Sequence, residues 1–549
     1  MPRFPSLALL VVALLAAGCA RRAAEVPPVV FEDPSPVAAP ASPPPPSPPA
    51  PPAPAAMYAP QARVALPPQP GPQVDTDRYA EIAPNPVQRV AEQPVSTFSV
   101  DVDTGSYSNV RRMLVDGRLP PADAVRAEEL INYFRYDYPL PASPEVPFSV
   151  STEVAPAPWD PRRHLLRIGI RGYDIDRSAL PPANLVLLID TSGSMHSPAK
   201  LPLLKQAFGQ FVGQLRAQDR VAIVAYAGSA GMVLAPTPGD QHGEILAALG
   251  RLEAGGSTNG GAGLELAYAL ARQGFVEGGI NRVLLATDGD FNVGTVDQGA
   301  LETMVARQRA TGVALSTLGF GTGNYNDAMA ERLADLGDGN HAYIDSALEA
   351  RRVLVEQMGS TLMTIARDVK VQVEFNPAQV AEYRLIGYEN RLLRREDFDN
   401  DRVDAGDIGA GHTVTALYEI ALAGSGGERI APLRYAAPAA APAHGDELAW
   451  LRLRYKEPRA DASRLVETPI RQADMRAVPG TDFRFAAAVA AYADLLRGGA
   501  HVGGFGWDET IALAQGARGD DAAGERAEFL RLARHAQALE PVAAAAGAD

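Results

Sequence analysis

The sequence has 549 residues, more than a single compact core holds, so roughly two to four domains are expected. Its formal net charge is -15, and no long Lys/Arg run offers the basic stripe that nucleic acid requires, which excludes nucleic acid as the main partner. A single cysteine, Cys19, excludes an intramolecular disulfide and a Cys-ligated zinc site.

The chain opens on a processing segment, residues 1–18. Leu7 to Ala17 is an unbroken apolar run, too short to span a bilayer as a helix. It ends in Ala16-Ala17-Gly18-Cys19, which resembles a bacterial lipobox. The resemblance implies cleavage before Cys19, acylation of its thiol and new amine, and a stable membrane anchor. Ala20, where an Asp is absent, implies sorting to the outer membrane of a Gram-negative cell. Residues 19–75 then form a Pro- and Ala-rich stretch that includes Pro43-Pro44-Pro45-Pro46. Proline removes donors and fixes φ, so this part is expected to be a disordered, semi-extended tether.

Residues 76–175 return to ordinary composition. Ser96 to Asp103 alternates like a strand, and Pro121 to Phe134 is predicted to be a helix with Val125, Leu130, Ile131 and Phe134 on its apolar face. On a strand, Asp101 and Asp103 share one face and could be a cation pair or an acid/base pair. No third ligand lies near them in sequence, and a cap on the following turn is the preferred reading. Pro147–Val154 and His164–Arg171 are predicted as two strands.

Residues 180–366 alternate strand and helix. Strands are predicted at Asn184–Ile189, Arg220–Tyr226, Arg282–Thr287, Val313–Phe320 and His341–Ile344. Helices are predicted at Lys200–Leu215, Glu244–Leu252, Ala262–Arg272, Leu301–Ala310, Ala328–Leu336 and Glu349–Ile365. Continuous Val/Leu/Ile strands between amphipathic helices imply an α/β fold, with a doubly wound, mostly parallel, Rossmann-like sheet covered on both faces. In such sheets ligands gather outside the carboxyl ends of the strands.

Those ends are rich in oxygen donors. The first strand runs into Asp190-Thr191-Ser192-Gly193-Ser194, and another runs into Asp288-Gly289-Asp290. Between them Gly255-Gly256-Ser257-Thr258 precedes a helix. If the two strands are neighbours, Asp190 and Asp288 approach each other. Two carboxylates and three hydroxyls suit Mg²⁺ or Mn²⁺ rather than Zn²⁺. Turn and cap chemistry accounts for each residue singly but not for all five together.

Asp190, Ser192, Ser194, Thr258 and Asp288-Gly289 resemble the metal-ion-dependent adhesion site of von Willebrand factor A (VWA) domains. The resemblance implies that Ser192 and Ser194 bind one divalent cation directly. Thr258 does so in the ligated state, and Asp190 and Asp288 bind directly or through water. It implies that an acidic side chain of a protein partner supplies the last oxygen. Phe98 to Thr104, Leu119-Pro120-Pro121, Asn132-Tyr133-Phe134, Lys200 to Lys205 and Thr287-Asp288-Gly289-Asp290-Phe291-Asn292 resemble the bacterial YfbK-like family.

Residues 367–545 are expected to be β-rich and then helical. Strands are predicted at Val369–Phe375, Glu382–Tyr388, Thr413–Ala421 and Leu448–Tyr455, with helices at Phe483–Leu496 and Ala522–Leu539. The strands at 147–171 and 369–455 are expected to build one structure into which the α/β domain is inserted. Glu396 to Asp401 lacks the Gly and Glu of a calcium loop and reads as a solvated acidic turn. No His-Glu-x-x-His, Gly-x-Ser-x-Gly or P-loop motif is present, so no catalytic residue is assigned. His196, near the site, reads as an exposed loop residue. The expectation is a cell-envelope protein, lipid-anchored, that binds an envelope partner through a metal. The alternatives are a structural protein whose cation only stabilises the fold and a Mg²⁺-dependent hydrolase.

Overall fold

The computed structural model describes residues 79–546, except 80, 144, 290–297, 322–325, 358, 360–361, 432, 435–444 and 459. The expected leader at residues 1–18, Cys19, the expected tether and the Asp290-Phe291-Asn292 part of the family motif lie outside the described residues. Among the described residues no helix is long and apolar enough to cross a membrane.

The central sheet follows from strands that are apolar at nearly every position. Ala183–Asp190 is buried throughout. Its Leu185, Leu187 and Ile189 pack with Leu204, Phe208 and Phe211, whereas Val186 and Leu188 pack with Leu264, Tyr268 and Ala271 on the other face. Each such side chain contributes about 1.5–3 kcal/mol by leaving water, which is why both faces carry helices. The order across the six-stranded sheet is His341–Ile344, Ala314–Phe320, Ile280–Thr287, Ala183–Asp190, Arg220–Tyr226 and Ala230–Pro238. All pairings are parallel except the last, an antiparallel hairpin absent from the sequence-based expectation. Gly263 lets the helix Gly260–Gln273 lie directly on this sheet, since a Cβ there would meet Tyr226 Cβ at 2.9 Å.

Strands from both sides of this domain share one β-sandwich. Asp160–Gly172 pairs with Phe148–Ala157 on one edge and with Thr413–Leu422 on the other. In the second layer Thr364–Phe375 pairs with Val95–Ser99 and with Glu447–Lys456, beside which lies Ser463–Arg471. Ile168, Ile170, Val371, Val373, Tyr418 and Leu451 fill the space between the layers. The α/β domain is thus inserted into a sandwich made of leading and trailing strands. The helices Thr481–Leu496, Trp507–Gly516 and Glu525–Ala546 pack with Gly105–Val115 and Ala127–Asn132 over a third core. Phe134, Phe485 and Phe529 meet there with ring centroids 4.9 to 5.7 Å apart.

Three predicted elements differ. The helix expected over Pro121–Phe134 is a short 3-10 turn, Ala122–Ala124, followed by Ala127–Asn132. Arg126 between them is extended because its N–H donates to Ser106 Oγ at 2.9 Å rather than to a helical carbonyl. The helix expected over Glu349–Ile365 begins as Ala347–Arg351 and widens into a π-turn at Arg352–Glu356, and Ile365 belongs to the next strand, where it joins the sandwich core. The strand expected through Asp103 stops at Ser99.

Candidate metal centre

Parallel pairing of Ala183–Asp190 with Ile280–Thr287 sets Ile189 opposite Ala286, so the two chains leave the sheet side by side at Asp190 and Asp288. Both carboxylates are fully buried. Asp190 Oδ1 accepts from Ser192 N–H at 2.8 Å, which turns the chain so that Ser192 and Ser194 face the same point. Their hydroxyl oxygens are 2.9 Å apart. Octahedral Mg²⁺, with bonds of 2.0–2.1 Å, holds adjacent oxygens about 2.9 Å apart. The serine pair therefore has the spacing of two neighbouring ligands of such an ion. With no sulfur or imidazole among the donors, the set fits a hard cation.

Thr258 sits half-buried in the loop before the helix Gly260–Gln273. Two backbone hydrogen bonds tie that loop to the serine turn, Gly193 N–H to Gly256 O at 3.0 Å and Gly255 N–H to Thr191 O at 2.8 Å. Asn259 caps the helix by accepting from Ala262 N–H. The structure thus brings the Asp190 turn, the Thr258 loop and Asp288 to one end of the sheet. Burial pushes the Asp190 carboxyl up to about 6, and the nearby Asp288 adds to this, against the Ser192 hydrogen bonds that lower it. A cation held there would reverse that balance by favouring the carboxylate. His196 is exposed, as expected.

The von Willebrand factor type A domain family matches residues 184–357, and a von Willebrand factor family matches residues 73–167. The family described as "Uncharacterized protein YfbK, C-terminal" matches residues 360–539. The uncharacterized protein YfbK of Escherichia coli (strain K12) is 52% identical over 466 residues, covering 83% of this chain and 80% of that protein. The chain belongs to the YfbK family. VWA domains generally mediate protein–protein interactions, and this YfbK-family chain carries one. Among solved structures, a von Willebrand factor type A protein from Catenulispora acidiphila aligns over 72% of this chain and 91% of its own, at 17% identity and a TM-score of 0.40. BatB from Bacteroides thetaiotaomicron aligns over 32% of this chain and 97% of its own, at 18% identity and a TM-score of 0.28.

Two features of this YfbK-family chain escape a sequence reading. The first is Lys200, whose Nζ lies 2.9 Å from Asp288 Oδ2 in a buried ion pair. The second is a charge network where the VWA domain meets the flanking segments. Asp101 and Asp103 belong to it. Asp101 Oδ1 accepts from Asp103 N–H at 3.0 Å, a turn cap, while Arg391 lies 3.1 Å from Asp101 and 3.5 Å from Asp103. Carboxylate oxygens of Asp101, Glu129 and Glu331 gather within 4.8 Å of one another, so the missing third group comes from far along the chain. Arg126 bridges Glu129, Asp327 and Glu331, and Arg391 bridges Glu331 and Asp335. Burial alone would raise Asp327, but Arg126 and His341 hold it well below the usual carboxylate range. Burial, together with neighbouring carboxylates, pushes Glu128 up to about 8. In Glu129 burial again dominates and lifts the carboxyl to about 7 despite Arg126.

The acidic turn at Glu396–Asp401 is anchored rather than merely solvated. Arg454 pairs with Asp399 and Asp401 at 3.1 Å each, and Lys370 Nζ donates to the carbonyls of Asp397 and Asn400.

Proposed function

We propose that this protein is a metal-dependent protein–protein interaction module of the bacterial cell envelope, acting in adhesion or assembly. One Mg²⁺ or Mn²⁺ ion would be held by Asp190, Ser192, Ser194, Thr258 and Asp288, and a partner envelope protein would complete its coordination with an acidic side chain. The cation's chemistry is that of a Lewis acid that fixes a carboxylate. Cys19 would carry the lipid anchor, placing the domain on the outer membrane of a Gram-negative cell. The observation that carries the reading is the 2.9 Å spacing of the Ser192 and Ser194 hydroxyls beside two buried carboxylates on neighbouring strands.

A purely structural cation is the second reading. On that reading the cation would reinforce the backbone bonds between Gly193 and Gly256 and between Gly255 and Thr191, and chelation would lower stability without changing the partners retained.

The test is calorimetric titration of the purified chain with MnCl₂, followed by capture from solubilised envelopes in Mg²⁺ and in EDTA. Wild-type protein binds one ion, the Ser192→Ala/Ser194→Ala variant binds none, and a partner is retained only by wild type in Mg²⁺. An identical catch under all conditions, with folded bait, would refute the adhesion reading.

A further inference from the structure

Lys200 is a costly choice at its position. It starts the helix Leu201–Val212, where an exposed lysine is cheap, yet its side chain is only 7% exposed and its ammonium meets Asp288, a carboxylate with no exposure at all. The fold has cut a slot for it. Gly321, at the end of the Ala314–Phe320 strand, has φ +83°, and a Cβ there would overlap Lys200 Cγ and Cε. Burying an ammonium beside a carboxylate costs desolvation that an apolar pair of the same size would not incur, so the pairing calls for a function.

The use follows from charge. Asp190, Asp288 and the Lys200 ammonium together carry one net negative charge, one less than the two carboxylates alone. A divalent cation is therefore held against one more positive charge than the carboxylates by themselves would set, and the loaded centre draws an anion more strongly than the cation would without the lysine. Hydroxyl ligands from Ser192, Ser194 and Thr258 add no charge.

We propose that Lys200 is a resident counter-cation of the metal centre. It weakens the hold on the divalent ion, steadies Asp288 when no ion is bound, and adds a positive charge beside the loaded site that favours a carboxylate ligand. The proposal rests on the cation-site reading above and adds a specificity-determining residue to it.

The experiment is Mn²⁺ titration and thermal unfolding of the full-length chain as wild type, Lys200→Met, Lys200→Met/Asp288→Asn and Ser192→Ala/Ser194→Ala. Lys200→Met should bind Mn²⁺ about tenfold more tightly or better, since a nearby like charge is removed. It should melt lower than wild type in EDTA, because the buried Asp288 loses its ion pair with Lys200. The double Lys200→Met/Asp288→Asn variant should recover part of that loss, and it keeps the test open if the single variant does not fold. Acetate, as probe of the anion preference, should displace water from the Mn²⁺-loaded wild type, read by water-proton relaxation, and should do so less in Lys200→Met. Equal Mn²⁺ affinity and equal melting in EDTA for wild type and Lys200→Met would overturn the proposal while leaving the cation site standing. An equal acetate effect in the two would overturn the anion selection. A wild-type chain that binds no Mn²⁺ would overturn both this proposal and the reading beneath it.

Discussion

Two of the buried gatherings of carboxylates among the described residues are built differently. At the junction of the VWA domain with its flanking segments, Asp101, Glu129, Asp327, Glu331 and Asp335 are met by the guanidinium forks of Arg126 and Arg391. At the carboxyl end of the central sheet, Lys200 meets Asp288, the Ser192 N–H donates to Asp190, and the Ser192 and Ser194 hydroxyls lie 2.9 Å apart beside them. A fork fills lone pairs along fixed directions and leaves little for a metal to take. Two neighbouring hydroxyl oxygens, by contrast, can both be offered to a cation. Acidic residues alone therefore do not define a cation site. What stands opposite them does.

The largest effect that would break this contrast is expected at the junction. Arg126→Met leaves Glu129 and Asp327 buried without their partner and should cost about 3–5 kcal/mol in urea unfolding, equally in Mg²⁺ and in EDTA. The candidate cation site should behave in the opposite way. Ser192→Ala/Ser194→Ala should leave stability in EDTA nearly unchanged while abolishing the stabilisation by saturating Mg²⁺, which is about 2.7 kcal/mol at one hundred times Kd.

Acidity separates the two regions further. Glu128 and Glu129 titrate at about 8 and about 7 in the fold against 4.5 for the free groups, so the native state holds the extra protons. Their contribution to stability is full below pH 4.5 and is lost as the pH rises through 7 and 8. Melting temperature in EDTA should fall by on the order of 5 °C between pH 5.5 and 8.5, and Glu128→Gln should flatten the curve. An unchanged slope in that variant would mean that Glu128 is not the group being titrated. The smallest effect is expected at the surface turn, where Arg454→Ala, removing half-exposed pairs with Asp399 and Asp401, should cost about 0.2–1 kcal/mol and vanish in high salt.

The clustering of the candidate cation ligands was legible in the sequence because it is local. Asp190, Ser192 and Ser194 lie within five positions, and the apolar strands that deliver them announce themselves by composition. Lys200 was not legible, since a lysine at a helix start ordinarily points to water. The junction was hidden by distance, with Asp101 meeting Arg391 and Arg126 meeting Asp327 from remote parts of the chain. The helix Gly105–Val115 was missed for a related reason. It buries Ser106, Asn109, Arg111 and Arg112 with its apolar residues, which erases the periodicity that marks a helix. Arg111 spends its buried charge on Asp345 and Glu349 of the VWA domain.

The sandwich built from leading and trailing strands has a consequence for the order of folding. Phe98 pairs with Val371, so the Val95–Ser99 strand meets its partner only across the whole inserted domain. A loop that long costs entropy before the pairing repays it. The strands of the VWA domain find one another over much shorter separations, as Leu185 finds Val221 and Arg282 finds Ala314. Assembly of the sandwich is therefore expected to be the last act of folding, with the inserted domain already closed between its two halves.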